Sequence, residues 1–84
     1  MTKGLKKSVR FLTQAKDACI ANGGTPEVLV MSPIQWREDI DEACKICGVE
    51  LRLMVQCPTE AIYLTTRVEA QLMEQGYREF LNAN

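Results

Sequence analysis

The sequence contains no histidine. A Ser–His or Cys–His nucleophile is therefore excluded within one chain, and so is a zinc site that pairs cysteines with histidines. There is no G-x-x-x-x-G-K-S/T or G-x-G-x-x-G loop, so nothing supports nucleotide binding by such a cradle. Aromatic residues make up only 6% of the chain, which leaves few of the stacking platforms that single-stranded nucleic acid uses. No apolar run approaches the ~18 residues of a bilayer span, so no membrane partner is expected. The basic N-terminus MTKGLKKSVRFL lacks the unbroken apolar stretch of a secretory signal. With no such signal, the four cysteines are expected as reduced thiols in a cytoplasmic setting.

What remains is an ordinary globular mixture, 46% hydrophobic and 25% charged over 84 residues, read as a single domain spanning 1–84. A chain of this length buries roughly 60% of its unfolded surface, so its core is thin and a dimer partner or ligand would help it. The net charge of −1 hides an asymmetry. Lys3, Lys6, Lys7, Arg10 and Lys16 face no acid before Asp17, giving +5 against −6 for the remainder. Such a split marks a basic arm for nucleic acid, an anionic surface or an acidic partner.

Leu5, Val9, Leu12, Ala15 and Cys19 recur at helical spacing, widened by Phe11, Ala18 and Ile20, and Asn22-Gly23-Gly24 closes the helix. Val28-Leu29-Val30-Met31 then reads as a strand covered on both faces. Ser32-Pro33-Ile34-Gln35 has the form of a helix start, with Ser32 as N-cap, Pro33 in the first turn and Gln35 closing a capping box. Trp36, Ile40, Ala43, Cys44 and Cys47 form the apolar stripe of that helix, and Gly48 ends it. Val49, Leu51, Leu53 and Val55 alternate as a second strand. A shift of 25 residues lays Asp17-Ala18-Cys19 on Glu42-Ala43-Cys44, Gly23 on Gly48, and Ser32-Pro33 on Cys57-Pro58, as though one unit were used twice.

That phase favours one helix over 58–75, carried by Ala61, Leu64, Val68 and Leu72 and stopped by Gly76, with Tyr77–Leu81 as a third, edge strand or, nearly as well supported, a continuation of the helix. The alternative makes 61–66 a strand antiparallel to 49–55, followed by a helix that the Thr66-x-x-Glu69 capping box would start. The expected class is α/β in the order α-β-α-β-α, a parallel sheet packed by helices. The α-β-α-β order resembles that of several small α/β families, RNA-binding ribosomal proteins and sulfur-relay proteins among them. The motif of neither is present, so the likeness implies fold order alone.

Cys44-Lys45-Ile46-Cys47 is a C-x2-C at the end of a helix, where the dipole disfavours a thiolate, and it lies on the apolar stripe, so core packing is expected and no metal. Cys57 differs. As N-cap of the following helix it would have a lowered pKa and would share the strand carboxyl ends with Ser32. Ser32, Gln35, Trp36, Cys57 and Thr59, with Glu60 beside them, are thus the candidate ligand crevice, the rival reading being ordinary caps. Lys6, Lys7 and Arg10 on the first helix are the candidate contacts to a partner or to nucleic acid, the rival being a solvated face. Glu38, Asp39, Asp41 and Glu42 make the second helix acidic.

Three functions follow in order. The first is a small non-enzymatic binding or protein-interaction module, self-association into a homodimer included, with no cofactor. The second is a thiol-dependent sulfur-transfer or redox protein centred on Cys57. The third is a weak nucleic-acid binder acting through the basic first helix.

Overall fold

In the computed structural model, which describes residues 3–83, the first helix α1 runs from Lys3 to Ala21. Its stripe buries Leu12 and packs Leu5 and Val9 against the same cluster. Gly23 turns the chain at φ 84°, and Gly24 donates its N–H to the Cys19 carbonyl at 2.9 Å, so the last turn is closed by residues that accept a left-handed bend. Strand β1 follows at Val28–Met31, and all four residues are buried. The continuous apolar run is explained by position: β1 is the central strand and is covered on both faces.

Helix α2 spans Glu38–Cys47 and ends at Gly48 with φ 71°. Strand β2 is Glu50–Leu53 and pairs parallel with β1, Val28 opposite Glu50 and Met31 opposite Leu53. Strand β3 is Ile62–Thr65 and helix α3 is Arg67–Ala83. The sheet order is β2-β1-β3. Leu29 and Met31 point to the face covered by α1 and α2, where Ala43, Cys44 and Val49 join them. Val28 and Val30 point to the other face, where Met54, Cys57 and Ala70 of α3 close over them, with Met73 alongside. The expected α/β class is present, and the parallel pairing of the first two strands with it.

Four local expectations are corrected. Residues 58–75 do not form one helix: β3 occupies 62–65, and α3 starts at Arg67, where Thr66 Oγ1 accepts the Glu69 N–H at 3.1 Å. The strand at 61–66 is real, but it is antiparallel to β1 (Val28 opposite Thr65, Met31 opposite Ile62) and not to 49–55. The physical reason is that β2 fills only one edge of β1, and the open edge of the most apolar strand is the better place to bury Leu64. Tyr77–Leu81 is helical, because α3 passes through Gly76 to extend the line of Ala70, Met73 and Tyr77; one glycine costs only about 1 kcal/mol in a helix. Finally, Ser32-Pro33 starts a 3-10 turn of three residues, Pro33–Gln35, and no more. Trp36 is extended (φ −63°, ψ 138°), so α2 begins afresh at Glu38 after Arg37, whose side chain makes no capping bond. Ile34 and Trp36 consequently fall off the buried stripe.

Candidate functional site

Because β1 and β2 are parallel and β3 runs against them, the segments after β1 and β2 and the residues leading into β3 meet at one end of the sheet. Ser32, Cys57, Thr59 and Glu60 lie in those segments, so the topology brings the predicted crevice residues to a common end. Two of these side chains, Ser32 and Cys57, are already engaged within the protein. Ser32 is buried and its Oγ accepts the Ile34 N–H at 3.2 Å. Cys57 is buried beneath α3, its N–H donating to the Met54 carbonyl at 3.1 Å and its Sγ directed at the Ala61 carbonyl at 3.8 Å. It caps no helix, and burial pushes its thiol up, the reverse of what a helix N-terminus would do. Thr59 and Glu60 are exposed, and Trp36 is about two-fifths exposed (39%) at the close of the 3-10 turn. Gln35 is half-buried, with its Oε1 shut from solvent and unpartnered among the described residues.

The four cysteines are all free thiols. Cys44 is held in the core, and burial, with Asp41 and Cys47 alongside, pushes it up to about 11. Among the described residues no group of three or more Cys, Asp or Glu is placed to hold a metal ion, and no helix is long and apolar enough to cross a membrane.

The basic end of the chain is arranged more suggestively. Lys16 is withdrawn from it, since its Nζ donates to the Cys47 carbonyl at 2.7 Å and so satisfies the negative end of α2. Lys3, Lys6, Lys7 and Arg10 remain exposed on one side of α1, none in an ion pair among the described residues. Beside Lys7 the surface opens into a groove of about 480 Å³ between α1, the start of α2 and the first residue of β3. Leu12, Leu29 and Ile40 form its floor, with Phe11 and Ile62 as apolar walls, half and more than a third exposed. Lys7, Ser8, Arg37 and Asp39 form its rim. The two helices meet at its end through Gly4, where any Cβ would strike the Asp39 carboxylate. The groove therefore offers an apolar floor with two cations against one anion at its mouth, within the volume range of small-ligand and side-chain pockets.

Of these residues, Lys7 was legible as a candidate contact. Phe11 was visible only as a widening of the α1 stripe, and Ile40 only as core of α2. Ile62 joins them through the placement of β3, which no local pattern specifies. A second cleft of about 860 Å³ between β2 and α3 is lined mostly by polar groups, Arg52, Gln71, Glu74, Gln75 and Arg78, with Leu53. No protein-family model, no curated protein and no solved structure matches this chain.

Proposed function

We propose that this protein is a protein-interaction module without catalytic activity of its own, and that the groove between α1 and α2 seats a bulky apolar side chain from a partner segment that also carries acidic residues. The observation that carries this reading is the pairing of exposed Phe11 and Ile62 over an apolar floor with the Lys7 and Arg37 rim. Apolar burial would supply affinity, and the unpaired Lys3, Lys6, Lys7 and Arg10 would select negative partners and speed their encounter. The surplus of basic charge lies on this one helix, while the rest of the chain is acidic, so an acidic segment is repelled elsewhere and attracted here.

The test uses a labelled synthetic peptide of Phe, Leu, Glu and Asp, the same peptide with Lys in place of the acids, and a single-stranded DNA oligonucleotide. The acidic peptide is expected to bind, with affinity reduced about tenfold or more by Phe11→Ser or Lys7→Glu, the size of effect expected at an interface anchor. The basic peptide should not bind. Equal binding to the wild-type protein and both variants overturns the reading. Tighter binding of the oligonucleotide that responds to Lys7→Glu but not to Phe11→Ser replaces it with the nucleic-acid alternative.

A further inference from the structure

Strand β2 is an edge strand, and its outward hydrogen-bonding groups have a defined phase. The N–H groups of Glu50 and Met54 donate inward, to the carbonyls of Glu27 at 3.0 Å and Met31 at 2.9 Å. Successive residues of a strand alternate in direction, so Leu51 and Leu53 turn their N–H and C=O groups to the open edge. Val49 contributes an outward carbonyl, while its N–H is taken by the Cys44 carbonyl at 2.9 Å. An edge of this kind is a template for another strand unless charge, proline or a bulge blocks it. Here the only charges on it are Glu50 and Arg52, one of each sign, and both on the face turned to α3.

We propose that β2 pairs antiparallel with β2 of a second copy of this chain about a two-fold axis at Leu51, joining the two sheets into one of six strands. In that register Leu51 faces Leu51 of the second copy, Leu53 faces Val49, and Glu50 faces Arg52 in both directions. Three independent features agree on it. The hydrogen-bonding phase is right, since Leu51 directs both groups outward and two copies exchange both bonds. The faces match, since apolar Val49, Leu51 and Leu53 meet on the α1/α2 side and charged residues meet on the α3 side. The charges are self-complementary, as an isologous interface requires.

Neighbouring registers fail. A shift of the axis to Glu50 sets glutamate on glutamate, and a shift to Arg52 sets arginine on arginine, both unfavourable for directly opposed residues. An axis placed between residues opposes Leu51 to a charged neighbour and turns the core faces against each other. Within one chain Arg52 binds Glu50 at 2.8 Å and reaches Glu74 at 3.8 Å, so the dimer exchanges the first contact for its equivalent across the axis and keeps the second. The 860 Å³ cleft beside Arg52 and Leu53 leaves room there for the partner's side chains. The peptide groove is bordered by Ile62 of β3, on the other side of β1, so this inference goes beyond the peptide-binding reading and does not depend on it.

The test is charge exchange on the full chain. Wild-type protein should show a concentration-dependent dimer in analytical ultracentrifugation. Arg52→Glu and Glu50→Arg, each alone and each folded by circular dichroism, should be monomers, with dissociation constants raised at least about thirtyfold. An equimolar mixture of the two should recover a 1:1 heterodimer, because every opposed pair is then of opposite charge. Amide exchange on the wild type supplies a measurement free of substitution: Leu51 and Leu53 should gain protection as the dimer forms, while Arg52 is unchanged. A wild type that stays monomeric at every concentration, which would leave the edge to another protein's strand, overturns the proposal. So does a variant that still dimerises, a folded pair that fails to associate, or Leu51 exchange that ignores concentration.

Discussion

Lys16 Nζ donates to the main-chain carbonyl of Cys47 at 2.7 Å, tying the last third of α1 to the final residue of α2. A cation here meets the negative end of a helix dipole and one of the carbonyls that the helix leaves unsatisfied. Lys16→Met keeps most of the aliphatic stem and removes the bond. It should lower stability by about 1–2 kcal/mol, the lower end for a hydrogen bond to a charged group because this one is only partly buried, read as a drop in urea midpoint at unchanged slope. An unchanged midpoint would show that solvent satisfies the carbonyl equally well.

Cys44 gives the protein an alkaline weakness. Its thiol is pushed up to about 11, chiefly by burial, so the folded chain keeps its proton where an unfolded chain releases it. With more protons bound in the native state, stability must fall as pH rises. The loss begins near the ordinary thiol value of about 9 and grows to on the order of 2 kcal/mol by pH 11. Urea midpoints measured from pH 7 to 11 should trace that fall, and Cys44→Ala should flatten most of it, leaving a residue from Cys57, which shifts in the same direction.

Cys57 should be a sluggish nucleophile. It is packed with Val28, Val30 and Ala70 and is held as the neutral thiol. Alkylation at pH 8 should run about tenfold or more slower than for a free cysteine and should approach that rate in urea, since thiolate fraction and access both govern it. A fast reaction in the folded state would restore a thiol-dependent function to consideration.

Gly76 sits exposed within α3, and a Cβ there would meet nothing within 4 Å. Gly76→Ala should therefore stabilise the protein by about 0.5–1 kcal/mol, through lower entropy of the unfolded chain and better helix propensity. For a domain of this size that is a rise in melting temperature of roughly 4 °C. A fall instead would mean that α3 needs flexibility at this point.

The α1 stripe, the apolar run of β1 and the left-handed Gly48 were all readable, because each is a local pattern with one physical solution. The stretch from 58 to 81 was not, and the reason is specific. Leu64, Val68 and Leu72 imitate a helical stripe, yet Leu64 is packed from a strand while Val68 and Leu72 stand exposed on α3, at 67% and 59%. The signal that separates the two is Thr66, whose Oγ1 accepts the Glu69 N–H and starts α3 there, local chemistry set against a coincidence of spacing. Ser32 caps its turn as the Ser-Pro pair implies, but Trp36 ends that turn after three residues, and propensity carries no information on that length. The groove was legible only at Lys7, since Phe11, Ile40 and Ile62 are separated along the chain and meet through packing.

The strand order β2-β1-β3 also governs when the molecule can become complete. The central strand is the first to be made, and its second neighbour, beginning at Ile62, is the last. A growing chain that has reached only Cys57 already holds α1, α2, β1 and β2, yet Val28 and Val30, fully enclosed in the finished protein, still lack the helix that covers them. The early part of the chain thus waits on the late part. Synthesis that stalls before α3 leaves an open strand and a bare apolar face, the pair of features from which aggregation starts.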